Sequence, residues 1–237
     1  MNNLNNRQKG AEWFKEMSKT AFFVIGAGGI GSWFTLLASR MNPFRLMVID
    51  ADTIEEHNIG GQWYSRHQIG EYKVHALSKN CQEFSNYKIS FINHWFTTES
   101  TIQINRVNDA LLNDDVERVI VVLALDSIEA RKTAVDIFKN HLKSDKMIIL
   151  DIRLRADFYQ IIPILNDADL KYWTENHHFP ASDVEELPCT FRQTSYLAAQ
   201  CTGHALSLIT NYYEVGMIPR YVDFSTTLLQ STTEWNS

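Results

Sequence analysis

Phe22-Phe23-Val24-Ile25-Gly26-Ala27-Gly28-Gly29-Ile30-Gly31 decides the fold: an apolar run of strand length, then G-x-G-x-x-G, then a helix expected over Gly29 to Met41. Each glycine has a separate physical task. Gly26 permits the sharp turn, Gly28 lets the backbone approach a phosphate, and Gly31 lets helix and sheet pack closely, while the free N–H groups of the helix start attract an anion. Asp50 closes the next apolar run, 19 residues beyond Gly31, where a carboxylate can accept hydrogen bonds from a ribose. These residues predict a bound nucleotide, and NAD, FAD and ATP would all fit them.

Outward from this stretch, apolar runs alternate with helical periods. Strands are expected at Ala21 to Ile25, Leu46 to Asp50, Lys88 to Ile92, Val119 to Leu125 and Met147 to Asp151. Helices are expected at Lys73 to Phe84, Val107 to Leu112 and Ser127 to His141. Val119-Ile120-Val121-Val122-Leu123 is the continuous branched run of a parallel strand buried on both faces. The pattern predicts an α/β fold, Rossmann-like and doubly wound, with a mainly parallel sheet, helices on both faces and additional C-terminal strands. Beyond Asp151 come a strand at Asp157 to Leu165, a short helix at Asp169 to Asn176, a polar acidic loop at His177 to Pro188 and a long helix at Gln193 to Tyr213. The tail from Ser225 is expected to be a fraying edge strand.

Composition narrows the function classes. Among 237 residues, 45% are apolar and 21% charged, and 22 basic against 28 acidic side chains give a net charge of −6. Such a balance argues against a nucleic-acid partner, whose phosphates need clustered Lys and Arg. The uncharged stretch from Thr20 to Ser39 has the 20 residues needed to span a bilayer. Its four glycines would destabilise a helix there, so no membrane partner is expected. The charged segment before it does not resemble a signal peptide, and a cytoplasmic location is expected. Cys81, Cys189 and Cys201 form no CxxC pair, which disfavours both a disulfide framework and a zinc site.

Asp50-Ala51-Asp52, then Asn58-Ile59-Gly60-Gly61-Gln62, then Gly70-Glu71-Tyr72-Lys73, and later Leu125-Asp126-Ser127-Ile128-Glu129-Ala130-Arg131, together with the glycine loop, resemble the ThiF/MoeB/ubiquitin-activating-enzyme superfamily of ATP-dependent adenylyltransferases, of the zinc-lacking phage and bacterial type. The resemblance covers about residues 5 to 215. It implies one adenylation domain over residues 1–237, with the nucleotide-binding half at about 20–152 and C-terminal strands, crossover loop and long helix over about 153–237. It also implies that Gly26, Gly28, Gly29 and Gly31 hold the nucleotide and Asp50 its ribose, with Asp52 and Ser127 as further nucleotide-binding residues, that Asn58 and Lys73 contact its phosphates, and that Asp126 binds Mg2+. ATP and Mg2+ are the implied cofactors, without zinc. The implied partner is a small ubiquitin-like or sulfur-carrier protein ending in Gly, activated by a homodimer. Two further alternatives are a non-catalytic subunit of a heterodimer and an NAD-dependent oxidoreductase.

Departures from the family pattern carry expectations of their own. The arginine of N-x-x-R-Q is Gly61 here, removing one phosphate-binding cation. Arg153 or Arg155, expected just past the end of a central strand, could restore the charge or could instead form a salt bridge with Asp151 or Asp157. Arg7 resembles the N-terminal arginine that family members deliver to the partner subunit's site. Cys189 stands where some relatives carry a cysteine that receives an activated carrier, or it is inert. Asp126 could equally cap the helix that follows it. Cys81 and Cys201 read as core, and His177 and His178 as loop residues.

Overall fold

β1 (Thr20–Ile25), β2 (Arg45–Ile49), β3 (Ser90–Ile92), β4 (Arg118–Leu123) and β5 (Met147–Arg155) are the parallel strands of an eight-stranded sheet in the computed structural model. β6 (Phe158–Ile164) runs antiparallel to β5, β7 (Tyr221–Ser225) antiparallel to β6 and β8 (Gln230–Glu234) antiparallel to β7, and the order across the sheet is β3-β2-β1-β4-β5-β6-β7-β8. The structure describes residue 8 and residues 10–155, 157–177 and 194–235.

Both faces of the sheet are covered, which is why its strands read as unbroken apolar runs. Phe22 and Val24 of β1, Ile120 and Val122 of β4, and Ile148, Leu150 and Ile152 of β5 face one core, with α2 (Gly29–Ser39), α3 (Lys73–Ser85) and α7 (Ser195–Val215) over them. Ala21, Phe23, Ile25, Val119, Val121, Leu123, Met147 and Ile149 face the other, under α4 (Thr101–Leu111), α5 (Ile128–Phe138) and α6 (Asp167–Asn176). The period of two along each strand sorts them. α1 (Glu12–Met17) packs against α7. No helix among the described residues is long and apolar enough to cross a membrane, and the uncharged stretch is divided between β1 and α2.

Two expectations are corrected. β5 does not end at Asp151: antiparallel pairing with β6 carries it on through Ile152↔Ile161 to Arg155↔Phe158, so Arg153 and Arg155 lie within a strand. α4 begins at Thr101, because the polar Gln103 occupies a buried position in line with Val107 and Ala110 and hides the helical period. The tail from Ser225 holds β8, an edge strand as expected, paired with β7. Pro163 is tolerated in β6 because β7 pairs only with Phe158 to Ile161, so the N–H it lacks has no partner strand to serve on that side.

Candidate functional site

The parallel strands release their loops at one end of the sheet, and the chemistry-bearing residues collect there. After β1 the backbone turns at Gly26 with φ +100, and its N–H donates to the Ile49 carbonyl at 2.8 Å. A Cβ on Gly26 would lie 2.4 Å from the Ala124 carbonyl oxygen, and one on Gly31 would lie 1.9 Å from that of Gly26. Both glycines are therefore required by backbone packing. A Cβ on Gly28 would meet no protein atom within 4 Å. The space in front of Gly28 is open, and α2 starts there with no side-chain cap and no acidic residue in its first turn. Its leading N–H groups and the positive end of its dipole suit an anion. Gly31→Ala is accordingly expected to destabilise the fold by roughly 2–3 kcal/mol in urea unfolding. Gly28→Ala should leave the unfolding midpoint nearly unchanged while weakening nucleotide binding, and equal effects of the two substitutions would refute this division of labour.

Asp50 follows β2 and accepts two backbone N–H groups, from Ala27 at 2.6 Å and Asp52 at 2.7 Å. Burial raises its pKa above the ordinary value, against these two bonds and Lys73, which lower it. The carboxylate is thus pinned on the glycine loop with one further lone pair per oxygen for a ribose. Residues 52–54 then run antiparallel to residues 70–73, joined through the Thr53↔Tyr72 bridge and the Ile54 N–H to the Glu71 carbonyl at 2.9 Å. This pairing delivers Lys73, first residue of α3, to Asp52, with Nζ donating to Oδ2 at 2.7 Å and only 8% of the lysine side chain exposed. A buried lysine at a helix N-terminus is unfavourable with the dipole, so Asp52 offsets a local electrostatic cost.

Asn58 sits in a 3₁₀ turn (Glu56–Asn58), where its Oδ1 accepts the Glu55 N–H at 2.9 Å. The segment behind it is stapled to the glycine loop and α2. Tyr64 donates to the Ala27 carbonyl at 2.7 Å, Trp63 N–H to Ser32 Oγ at 2.9 Å, and Trp33 Nε1 to the Gly61 carbonyl at 3.1 Å. The Trp33 and Trp63 rings meet at 4.9 Å beside Gly61, where family members place an arginine.

Asp126 lies between β4 and α5, exposed, with no hydrogen bond to the described residues. Ser127 is the helix cap, its Oγ accepting from the Ala130 N–H at 3.2 Å and donating to Glu129 at 2.8 Å. The cap and the exposed carboxylate are thus different residues. Among the described residues no three metal-ligating side chains converge. A single free carboxylate fits Mg2+, which keeps several waters and takes substrate phosphates as its other ligands.

Behind that loop lies a buried cluster centred on Asp151, which is 0% exposed. Arg131 donates to its Oδ1, Arg153 donates to its Oδ2 at 3.0 and 2.8 Å, and Trp173 Nε1 donates to Oδ2 at 2.8 Å. Burial alone would raise the Asp151 pKa, but the two guanidiniums hold it below the usual carboxylate value. Of the alternatives for Arg153, the structure shows the ion pair with Asp151, buried rather than on the surface. One carboxylate against two guanidiniums leaves a net positive charge at this end of β5, and Arg153, 16% exposed, is its outlet.

Arg7, Cys189 and His178 lie outside the described residues. Cys81 and Cys201 are core, and burial pushes the Cys81 thiol up to about 11. His177 follows α6 in a turn, where it is buried between the Tyr172 and Tyr221 rings, and burial lowers its pKa to about 4. Sequence reasoning missed the buried role of Arg131. Its spacing to Ala134, Val135 and Phe138 was the available signal, a cation at the first position of an otherwise apolar helix face.

Comparison with known proteins agrees with this architecture. In sequence, the chain is 25% identical over 126 residues to mouse ubiquitin-like modifier-activating enzyme 5, a match covering 50% of this chain and 30% of that protein. It is 27% identical over 106 residues to maize adenylyltransferase and sulfurtransferase MOCS3-1, covering 44% and 23%. The chain therefore spans less than a third of either relative. In structure, E. coli MccB solved with ATP superposes with a TM-score of 0.64 at 14% identity, covering 99% of this chain and 71% of that one. E. coli tRNA N6-threonylcarbamoyladenosine dehydratase TcdA, in complex with AMP, gives 0.64 at 15% identity, covering 90% and 93%. The ThiF family model matches residues 2–148, the part that holds the glycine loop, Asp50, Asn58, Lys73 and Asp126, and by that match over more than half its length the chain belongs to the ThiF family.

Proposed function

We propose that the chain is an adenylyltransferase that uses ATP and Mg2+ to activate a carboxylate, that of the C-terminal glycine of a small ubiquitin-like or sulfur-carrier protein. The observation that supports it best is the grouping, at one end of the sheet, of an uncapped helix start, a pinned carboxylate, a buried lysine and a free carboxylate. The carboxylate oxygen attacks the α-phosphorus, the bond to the departing pyrophosphate breaks, and an acyl adenylate forms. No general base is needed, since the nucleophile is already ionised at neutral pH. Asp50 holds the ribose, the α2 N–H groups and Asn58 orient phosphate oxygens, and Lys73 stabilises charge that develops on them. Mg2+, held by Asp126, would supply Lewis-acid stabilisation of the leaving group. Isothermal titration should show Mg2+-dependent ATP binding in preference to NAD; equal or tighter NAD binding would favour an oxidoreductase.

In this reading Arg153 replaces the cation lost at Gly61. It already donates through Nε and one Nη to Asp151, and its other Nη remains for a phosphate. Arg153→Ala is expected to weaken ATP binding by about one to two decades, the worth of a charge-assisted hydrogen bond of roughly 1.5–3 kcal/mol, and adenosine binding far less. Gly61 is not among the glycines at positive φ, so Gly61→Arg meets no left-handed backbone strain and should partly restore affinity. A homodimer completes the proposal, with Arg7 reaching the partner's site and Cys189 receiving the acyl group. The second reading, a non-catalytic subunit, is favoured by Gly61 itself, and predicts no pyrophosphate release with any carrier protein.

A further inference from the structure

We infer that Arg131 is a positioning residue for the metal-binding carboxylate: anchored on the buried Asp151, its guanidinium holds the backbone of the loop that carries Asp126. This rests on the reading of Asp126 as the Mg2+ ligand. Arg131 Nη1 donates to the Leu123 carbonyl at 3.0 Å and to Asp151 Oδ1, and its Nη2 donates to the Leu125 carbonyl, immediately before Asp126. Those two carbonyls begin the connection between β4 and α5, and no strand neighbour accounts for the second of them, since the β4–β5 register ends at Leu123↔Asp151. Asp126 is exposed and makes no hydrogen bond to the described residues, so its place is set by its backbone. Mg2+ tolerates little departure from octahedral geometry, and a carboxylate whose backbone wanders holds it poorly.

The simpler role, neutralising Asp151, does not account for Arg131. Arg153 supplies a guanidinium with two hydrogen bonds to Asp151, and Trp173 a third bond. Arg131 Nη2, moreover, serves the Leu125 carbonyl and not the carboxylate. What Arg131 adds is a rigid planar fork that reaches the last carbonyl of β4, a loop carbonyl and a strand carboxylate at once, a task for which a lysine ammonium has the charge but not the geometry.

The test is an Mg2+ titration of ATP binding in Arg131→Lys, with AMP binding in the absence of metal measured beside it. The expected result is an Mg2+ midpoint raised at least tenfold, with metal-free AMP affinity within about twofold of the parent. The titration is run at a temperature where circular dichroism shows the variant fully folded, because a reversibly unfolded fraction would itself raise the midpoint. Should Arg131→Lys give no folded protein, Arg131→Met, which removes the fork and leaves Asp151 its pair with Arg153 and its bond from Trp173, carries the same expectation. Asp126→Asn in the same titration separates the two layers. If Asp126→Asn abolishes the Mg2+ response and the Arg131 variant leaves the midpoint unchanged, the positioning role is overturned. If Asp126→Asn leaves the Mg2+ response intact, the metal assignment fails and the positioning role falls with it. An Arg131 variant that loses AMP and Mg2+–ATP binding in equal measure also overturns the inference, since that is the signature of a purely structural residue.

Discussion

Asp126→Asn is expected to remove the Mg2+-dependent part of ATP binding, by about 100-fold or more, while leaving the urea unfolding midpoint where it was. The carboxylate is exposed and carries no hydrogen bond to the described residues, so its removal deprives the fold of nothing beyond the usual 0.5 kcal/mol scatter of surface substitutions. Residues that merely support a metal ligand commonly cost 10–100-fold when replaced, and a direct ligand belongs at or above the top of that range. Calorimetric titration with and without Mg2+ measures the effect. Unchanged Mg2+-dependent affinity in a folded variant would refute the assignment.

Asp151→Ala should do the reverse and act first on the fold. The carboxylate is fully buried between Arg131 and Arg153, and removing it leaves two guanidiniums in a low-dielectric site without their anion. Breaking a buried pair in this way costs about 3–5 kcal/mol. For a chain of this size that corresponds to a fall in melting temperature of roughly 6–20 °C. The pH dependence has a definite sign. Because the Asp151 pKa is depressed in the folded protein, its contribution is complete above the unfolded carboxyl value of about 3.9 and is lost as pH falls through the lower folded value. Asp151→Asn should therefore flatten the acid limb of the stability profile. A melting temperature within 2 °C of the parent in Asp151→Ala would remove the cluster from the account of stability.

The same comparison shows where the chain's own pattern stopped being informative. The five parallel strands and most helices were legible because branched apolar runs and helical periods are local signals, and so was the glycine turn, whose steric demands act within a few residues. The end of β5 was not, since what carries it beyond Asp151 is pairing with β6, a contact that strand periodicity does not encode. The start of α4 was hidden by the buried Gln103.

Within the candidate site the division is as clear. Asp50 could be named from its spacing to the glycine loop, and Lys73 and Asp126 from motifs that resemble those of the ThiF superfamily. The partners that give them their properties come from elsewhere. Lys73 finds Asp52 across 21 residues, and Asp151 finds Arg131 and Trp173 across 20 and 22. Sequence distance says nothing about such pairings, and only the folded chain decides them, because a buried charge must meet whichever opposite charge the packing of strand on helix brings within hydrogen-bond reach.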